Sequence, residues 1–169
     1  GDWSSDVCSS DLCFTGLAYA DVKKLRRCEI ERNEGGYWIK TKRKKTGGRS
    51  NVPLMDVPMQ IINKYVELDL LEADDLVLPV LSNQKMNAYL KEIADFCGIT
   101  KKLSYHIARH TFATTLTMMN GVPIESVSKM LGHKNITSTQ HYARIVDKKV
   151  GEDMERLSSK IGSRLAMSF

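Results

Sequence analysis

Apolar positions recur along this chain with two different periods, and the changes of period predict most of its elements. Leu17, Val22 and Leu25 share one face of a helix expected over 18–27, with Asp21 early in it. From Cys28 to Leu54 polar and apolar residues alternate. Gly35-Gly36 and Gly47-Gly48 interrupt them, which predicts a small antiparallel sheet with two turns. The helical period returns over 55–71 and over 84–97, where Gly98 stands as a C-terminal cap. A further helix is expected over 104–120, before Gly121, and Pro123 suits the first turn of the next, through Leu131. Residues 135–145 and the charged stretch 147–161 complete the helical series. The expected fold class is therefore α+β, mainly α, with one three-stranded antiparallel sheet.

Length and composition narrow this further. The 169 residues suffice for one domain with a real core and are too few for two ordinary ones. A hydrophobic content of 42% with 27% charged residues describes a soluble, globular chain. The net charge of +5 and a pI near 9.0 fit a nucleic-acid partner without demanding one. No apolar run approaches the roughly 20 residues that a membrane span needs. The N-terminus is acidic and polar, unlike a secretory signal. Cys8, Cys13, Cys28 and Cys97 form no C-x-x-C pair, which favours free thiols in a reducing cytoplasm. Residues 1–12, Ser/Asp-rich and without amphipathic period, read as a foreign segment abutting a domain over 13–169.

The chemistry concentrates between Leu103 and Tyr142, which hold all four histidines. His106 and Arg109 stand one helical turn apart and share a face. His133 follows Leu131-Gly132, where a short turn can aim its ring, and Tyr142 comes nine residues later. Guanidinium and imidazole donors converging on one anion, with a hydroxyl nucleophile beside them, suit attack on a phosphodiester. A basic run, Lys40, Lys42, Arg43, Lys44, Lys45 and Arg49, occupies the second expected turn of the sheet and its flanks. It reads either as a phosphate-tracking patch or as a solvated turn.

Three separated boxes, His106-Ile107-Ala108-Arg109-His110-Thr111-Phe112-Ala113, Leu131-Gly132-His133 and Tyr142-Ala143, resemble in order and spacing the tyrosine recombinases, the phage-type integrases. Cys13-Phe14-Thr15-Gly16-Leu17-Ala18-Tyr19-Ala20-Asp21-Val22-Lys23-Lys24-Leu25 is similar to the first box of integrases from Bacteroides-type mobile elements. The resemblance implies the catalytic domain of a DNA breaking–rejoining enzyme, without the N-terminal core-binding domain such integrases carry. It implies attack by Tyr142 on DNA phosphorus, giving a 3′-phosphotyrosine and a free 5′-hydroxyl. Neither ATP, metal nor small-molecule cofactor is then required.

Carried over residue by residue, Arg109 grips the non-bridging oxygens, His133 donates to them, and His106 assists proton transfer. Lys45 protonates the leaving oxygen, with Lys44 and Lys42 as rivals. Asp21 orients an active-site group. One departure stands out. Ala18 occupies the place where many members have a second arginine, and its substitute is open between Lys44, another hairpin cation and a residue outside this chain. The implied setting is the bacterial cytoplasm, the implied partner double-stranded DNA, and the implied full-length assembly a homotetramer on two duplexes. The C-terminal helix of residues 148–164, with Ile145, Val146, Val150, Met154, Leu157 and Ile161 on or just before it, would pack on a neighbouring subunit or fold back on its own domain.

Three other readings compete. A zinc enzyme would use His106 and His110, but H-I-A-R-H lacks the glutamate of H-E-x-x-H, and Arg109 repels a cation. A helix-turn-helix regulator over 124–142 explains neither His106 and Arg109 nor the basic hairpin. An inactive integrase fragment would bind DNA and turn over nothing.

Overall fold

Alternating burial builds the sheet. In the computed structural model, which describes residues 12–143 together with 150, 151, 153–155, 157–159 and 161, β1 (Ile30–Asn33), β2 (Gly36–Lys42) and β3 (Arg49–Pro53) form one antiparallel sheet in that order. The register pairs Ile30 with Ile39 and Ile39 with Val52, so the apolar positions of all three strands turn to one face. That face carries the buried Ile30, Ile39, Thr41, Ser50 and Val52. Ser50, buried on that face, donates its hydroxyl to the Met130 carbonyl and ties β3 to the helix ending there.

The helices are α1 (Leu12–Thr15), α2 (Tyr19–Val22), α3 (Asp56–Tyr65), α4 (Asn83–Phe96), α5 (Tyr105–Thr111), α6 (Ile124–Met130) and α7 (Thr137–Ala143). Ser82 and Ser104 accept backbone N–H groups of the first turns of α4 and α5, the capping that their sequence positions favour. Met86, Leu90 and Ala94 give α4 its buried stripe. Leu17, Val22, Leu25, Ile62, Val77, Leu78, Phe112, Val127 and Leu131 join the sheet's apolar face in one core. The structure is thus α+β and mainly α, with a three-stranded antiparallel sheet, as the periodicity predicts. The tail expectation over 147–161 holds at the residues described, which are helical, and 144–149, with Ile145 and Val146, and 162–164 lie outside them. So do residues 1–11, most of the segment read as foreign.

Two helices are shorter than expected, for a tertiary reason. The helix expected over 18–27 stops after Val22, because the next backbone groups pair elsewhere. Arg27 and Cys28 donate to the Asp75 and Ala73 carbonyls at 2.9 Å, and Val77 donates back to Leu25 at 3.0 Å. The helix expected over 55–71 ends at Tyr65 as Val66 turns extended, and a separate turn of 3₁₀ helix at Leu68–Leu70 is held by Arg27 Nε on the Leu68 carbonyl at 2.7 Å. The helix expected over 104–120 is present but changes pitch. After Thr111 it widens to a π-helix over Phe112–Thr117. There the Thr114 and Thr117 hydroxyls donate to the His110 and Ala113 carbonyls at 2.9 and 2.7 Å, competing with the α-helical ladder.

Ile39 lies at the centre of the sheet's inner face and is fully buried. Ile39→Ala should destabilise the fold by about 2–5 kcal/mol, measured as the shift in urea unfolding at constant m-value.

Candidate active site

Two glycines with left-handed backbone bring the site together. Gly16, φ +63°, follows α1, and a Cβ there would stand 2.3 Å from the Phe112 ring. Gly132, φ +61°, follows α6, and a Cβ there would stand 2.7 Å from Arg43 Cδ. Both positions demand glycine by conformation and by space. The first lets the α1–α2 turn approach α5. The second lets the β2–β3 loop lie against the turn that carries His133.

Arg109 joins these turns. Its side chain is buried, 6% exposed, in the last turn of α5. Nη1 donates to the Gly16 carbonyl, Nη2 donates to the Leu131 carbonyl at 2.6 Å, and Nη2 stands 3.3 Å from His133 Nε2. Burial draws its pKa down to about 10, the Arg43 charge adds to this, and the Tyr142 phenol and Asp21 pull the other way. It remains a cation at neutral pH.

Tyr142 extends from α7 into the same space and is 6% exposed. Imidazoles surround its ring. His133 lies parallel at 6.3 Å between centroids, His110 meets it edge-on at 5.0 Å, and His141 stands at 6.2 Å. His133 also contacts the Thr139 hydroxyl through Nδ1, at 2.8 Å. Arg109, His133 and Tyr142, remote in sequence, are therefore neighbours in space.

The hairpin contributes a second guanidinium. Asp21, buried in α2, accepts the Lys44 backbone N–H at 2.8 Å and faces Arg43 Nε at 3.9 Å. This pins the β2–β3 loop against the core. The Arg43 side chain is 12% exposed, and its Nε is buried without a hydrogen-bond partner. Its charge acts on both Arg109 and His133. Sequence reasoning named Arg43 as a patch cation and left it, unnamed, among the hairpin cations that could replace the arginine missing at Ala18. Its role as a site neighbour depends on Gly132, a contact that no local pattern announces. Ala18 is half-buried, and its carbonyl serves only to start α2, accepting from Asp21 and Val22.

The other expected site residues are more exposed. Lys44 side chain, Lys45 and His106 are exposed, the first two on the loop that carries Arg43 and the third on the first turn of α5. Lys42 and Arg49 are exposed across the β2–β3 ladder, where the Lys42 carbonyl accepts from Lys24. Lys40 pairs with Glu31 on the sheet. His110, which sequence reasoning assigned only to the rejected zinc site, is half-buried against Tyr142. Among the described residues, no group of three or more His, Cys, Asp or Glu is placed to hold a metal.

The sequence profile of the phage integrase family matches residues 11–149. The chain belongs to that family. It is 35% identical over 104 residues to tyrosine recombinase XerD of Staphylococcus saprophyticus, covering 56% of this chain and 35% of that protein. A tyrosine recombinase of Thermosipho africanus is 28% identical over 151 residues, covering 83% of this chain and 51% of the relative. The chain thus spans about a third to a half of these relatives. Its fold matches the crystal structure of XerA recombinase with a TM-score of 0.66 at 21% identity, over 91% of this chain and 61% of that one. XerH site-specific recombinase, in a post-cleavage complex with palindromic difH substrate, matches with a TM-score of 0.67 at 19% identity, over 89% of this chain and 46% of that one. The phage integrase domain here is a tyrosine recombinase domain, and its helical fold with one small sheet is that of the recombinase structures.

His133 is held down to about pKa 4, by burial first and then by the charges of Arg109 and Arg43. The unfolded chain, with an ordinary histidine near pKa 6.5, takes up this proton more readily. This contribution to stability is therefore complete above about pH 6.5 and is lost as pH falls through about 4. The urea midpoint should drop between about pH 7 and 5, and His133→Asn should shrink that drop. An equal drop in both proteins would place the titration elsewhere.

Proposed function

We propose that this domain cuts and rejoins double-stranded DNA through a covalent 3′-phosphotyrosine on Tyr142, as a site-specific recombinase or integrase. The observation that carries the reading is the meeting of Arg109, His133 and Tyr142 around one space, with Arg43 beside them. A phenol has an ordinary pKa near 10 and attacks poorly unless the transition state is stabilised or its proton removed. Two guanidiniums supply the stabilisation. Their planar forks match phosphoryl oxygens, and low exposure strengthens the attraction. Arg43 stands in for the arginine that Ala18 lacks. It enters from the hairpin, and Asp21 steadies it as the sequence reading gave Asp21 to do.

In the reaction, Tyr142 Oη bonds to phosphorus as the bond to the 5′-oxygen breaks. Lys45 sits on the hairpin loop with Arg43 and is the proton donor to that leaving oxygen, with Lys44 and Lys42 as alternatives. His106 and Lys45 are exposed before DNA is bound, and a duplex lying on this face would cover both. The likeness of the Cys13–Leu25 box supports a place among the integrases of Bacteroides-type mobile elements, acting in a bacterial cytoplasm. Lys40, Lys42, Arg43, Lys44 and Arg49 would meet DNA phosphates, which makes binding steeply salt-dependent.

The full-length protein would act as a homotetramer. An exposed apolar stripe of Val150, Met154, Leu157 and Ile161 supports this. So does an apolar groove of about 450 Å³ bordered by Trp38, Pro53, Met55, Leu116, Val122 and Met130. Either a neighbour's tail or the chain's own could fill the groove.

Incubation with a pool of nicked duplexes, randomised around the nick, should leave a denaturant-resistant protein–DNA adduct. Tyr142→Phe should abolish it. Arg109→Ala and Arg43→Ala should each slow its formation about 10²–10³-fold while largely preserving DNA affinity. DNA binding with no adduct under any condition would favour a non-catalytic DNA-binding domain.

A further inference from the structure

The ring of Tyr142 has three imidazole neighbours, and they are not equivalent. His141 precedes it on α7 and moves with it, so that contact fixes nothing relative to the rest of the site. His133, on the turn after α6, lies parallel with its centroid 6.3 Å away. His110, on α5, meets the phenol ring edge-on at 5.0 Å, with 72° between the planes. At that separation an edge-to-face pair attracts, the positive rim of one ring lying toward the negative face of the other. Among the described residues His110 is thus the nearest ring to the phenol, and it comes from a different element.

That element is the one that carries Arg109. His110 is the next residue, and 3.6 residues per turn set consecutive side chains about 100° apart around a helix. Arg109 is directed to the Gly16 and Leu131 carbonyls, while His110 reaches the Tyr142 ring. The Tyr142 hydroxyl is in turn a hydrogen-bond partner of the Arg109 side chain. The His110 backbone is itself held, its carbonyl accepting the Thr114 hydroxyl at 2.9 Å where the helix begins to widen. Burial, and then His106 and His141, push the His110 pKa down, so its ring is neutral at pH 7. It packs against the phenol without adding a third cation to Arg109 and Arg43.

We propose that His110 is a positioning residue for the nucleophile: its ring is the stop against which the Tyr142 phenol is set, on the same helix that presents Arg109 to the phosphate. This rests on Tyr142 being the nucleophile. It asks nothing of the His110 nitrogens, which neither take nor give a proton. The phenol oxygen stands at the far end of its ring, so a small swing of the side chain about Cα–Cβ carries that oxygen through a larger arc. With one helix setting both the guanidinium and the stop, the attacking oxygen and the gripped phosphate are placed relative to each other by two consecutive residues. Misplacing an attacking atom by about 1 Å costs on the order of 10²-fold in rate. The ring contact touches no phosphate, so its loss shows in the chemical step and leaves DNA affinity alone.

The test compares wild type, His110→Phe and His110→Gln in single-turnover adduct formation on the nicked duplex pool at saturating DNA, with DNA affinity measured separately. Phenylalanine keeps a flat ring and has no nitrogen; glutamine keeps polar atoms and has no ring. His110→Phe should stay near the wild-type rate, and His110→Gln should fall ~10–100-fold, both with affinity unchanged. Equal impairment of the two folded variants overturns the proposal, since a nitrogen rather than the ring would then matter. An unimpaired His110→Gln overturns it too. A nuclear Overhauser contact between the His110 and Tyr142 ring protons is expected in the free wild-type protein, and its absence overturns the proposal even if neither variant folds. That contact with no wild-type adduct on any duplex would refute the nucleophile, and the positioning role with it, while leaving the packing of the two rings standing.

Discussion

One buried guanidinium organises this domain. Arg109 binds the carbonyl of Gly16 and the carbonyl of Leu131, and so holds together segments that lie 93 and 22 residues away from it. A buried cation is costly unless its donors are filled and a counter-charge is near. The two carbonyls fill donors but carry no net charge. Among the described residues, the carboxylate acting on the cluster, Asp21, is already engaged by the Lys44 backbone N–H and the Arg43 side chain. A second guanidinium, Arg43, stands close enough to lower the Arg109 pKa further. Among the described residues the folded site is thus short of negative charge, which suits the anionic phosphodiester proposed as its ligand.

The same shortage explains the state of the imidazoles. His133 is neutral because two cations and burial disfavour its protonated form. His110 is pushed down as well, by burial first and then by His106 and His141. Tyr142 is packed among imidazole rings, which shelters the phenol and orients it. Its burial serves two ends, since the same contacts that anchor α7 aim the hydroxyl toward Arg109.

Much of this was legible in the sequence, and the gaps have physical causes. The period-two stretch with its two Gly-Gly pairs announced the three strands, because alternation and turn chemistry act locally. The spacing of His106, Arg109, His133 and Tyr142 announced a cluster, and three of the four do meet. His106 instead stands exposed at the start of α5. Helical spacing says which face a residue shares and nothing of whether another element covers it. The helices expected over 18–27 and 55–71 end early because backbone pairing with residues 73–77 and the Arg27 contact to Leu68 outweigh local propensity. The π-helical turn was invisible because it depends on hydroxyls competing for carbonyls within an otherwise helical pattern. Arg43 looked like one more cation in a basic run. Only the close approach of its loop to Gly132, where any side chain would collide, sets it apart from Lys44 and Lys45.

The most direct test of the account is mass-spectrometric mapping of the DNA-linked peptide after the protein has reacted with nicked duplex and been digested. The account predicts a nucleotide 3′-phosphate esterified to Tyr142. Linkage to any other residue, or a protein recovered wholly unmodified from reactions in which the duplex has been cleaved, would contradict it.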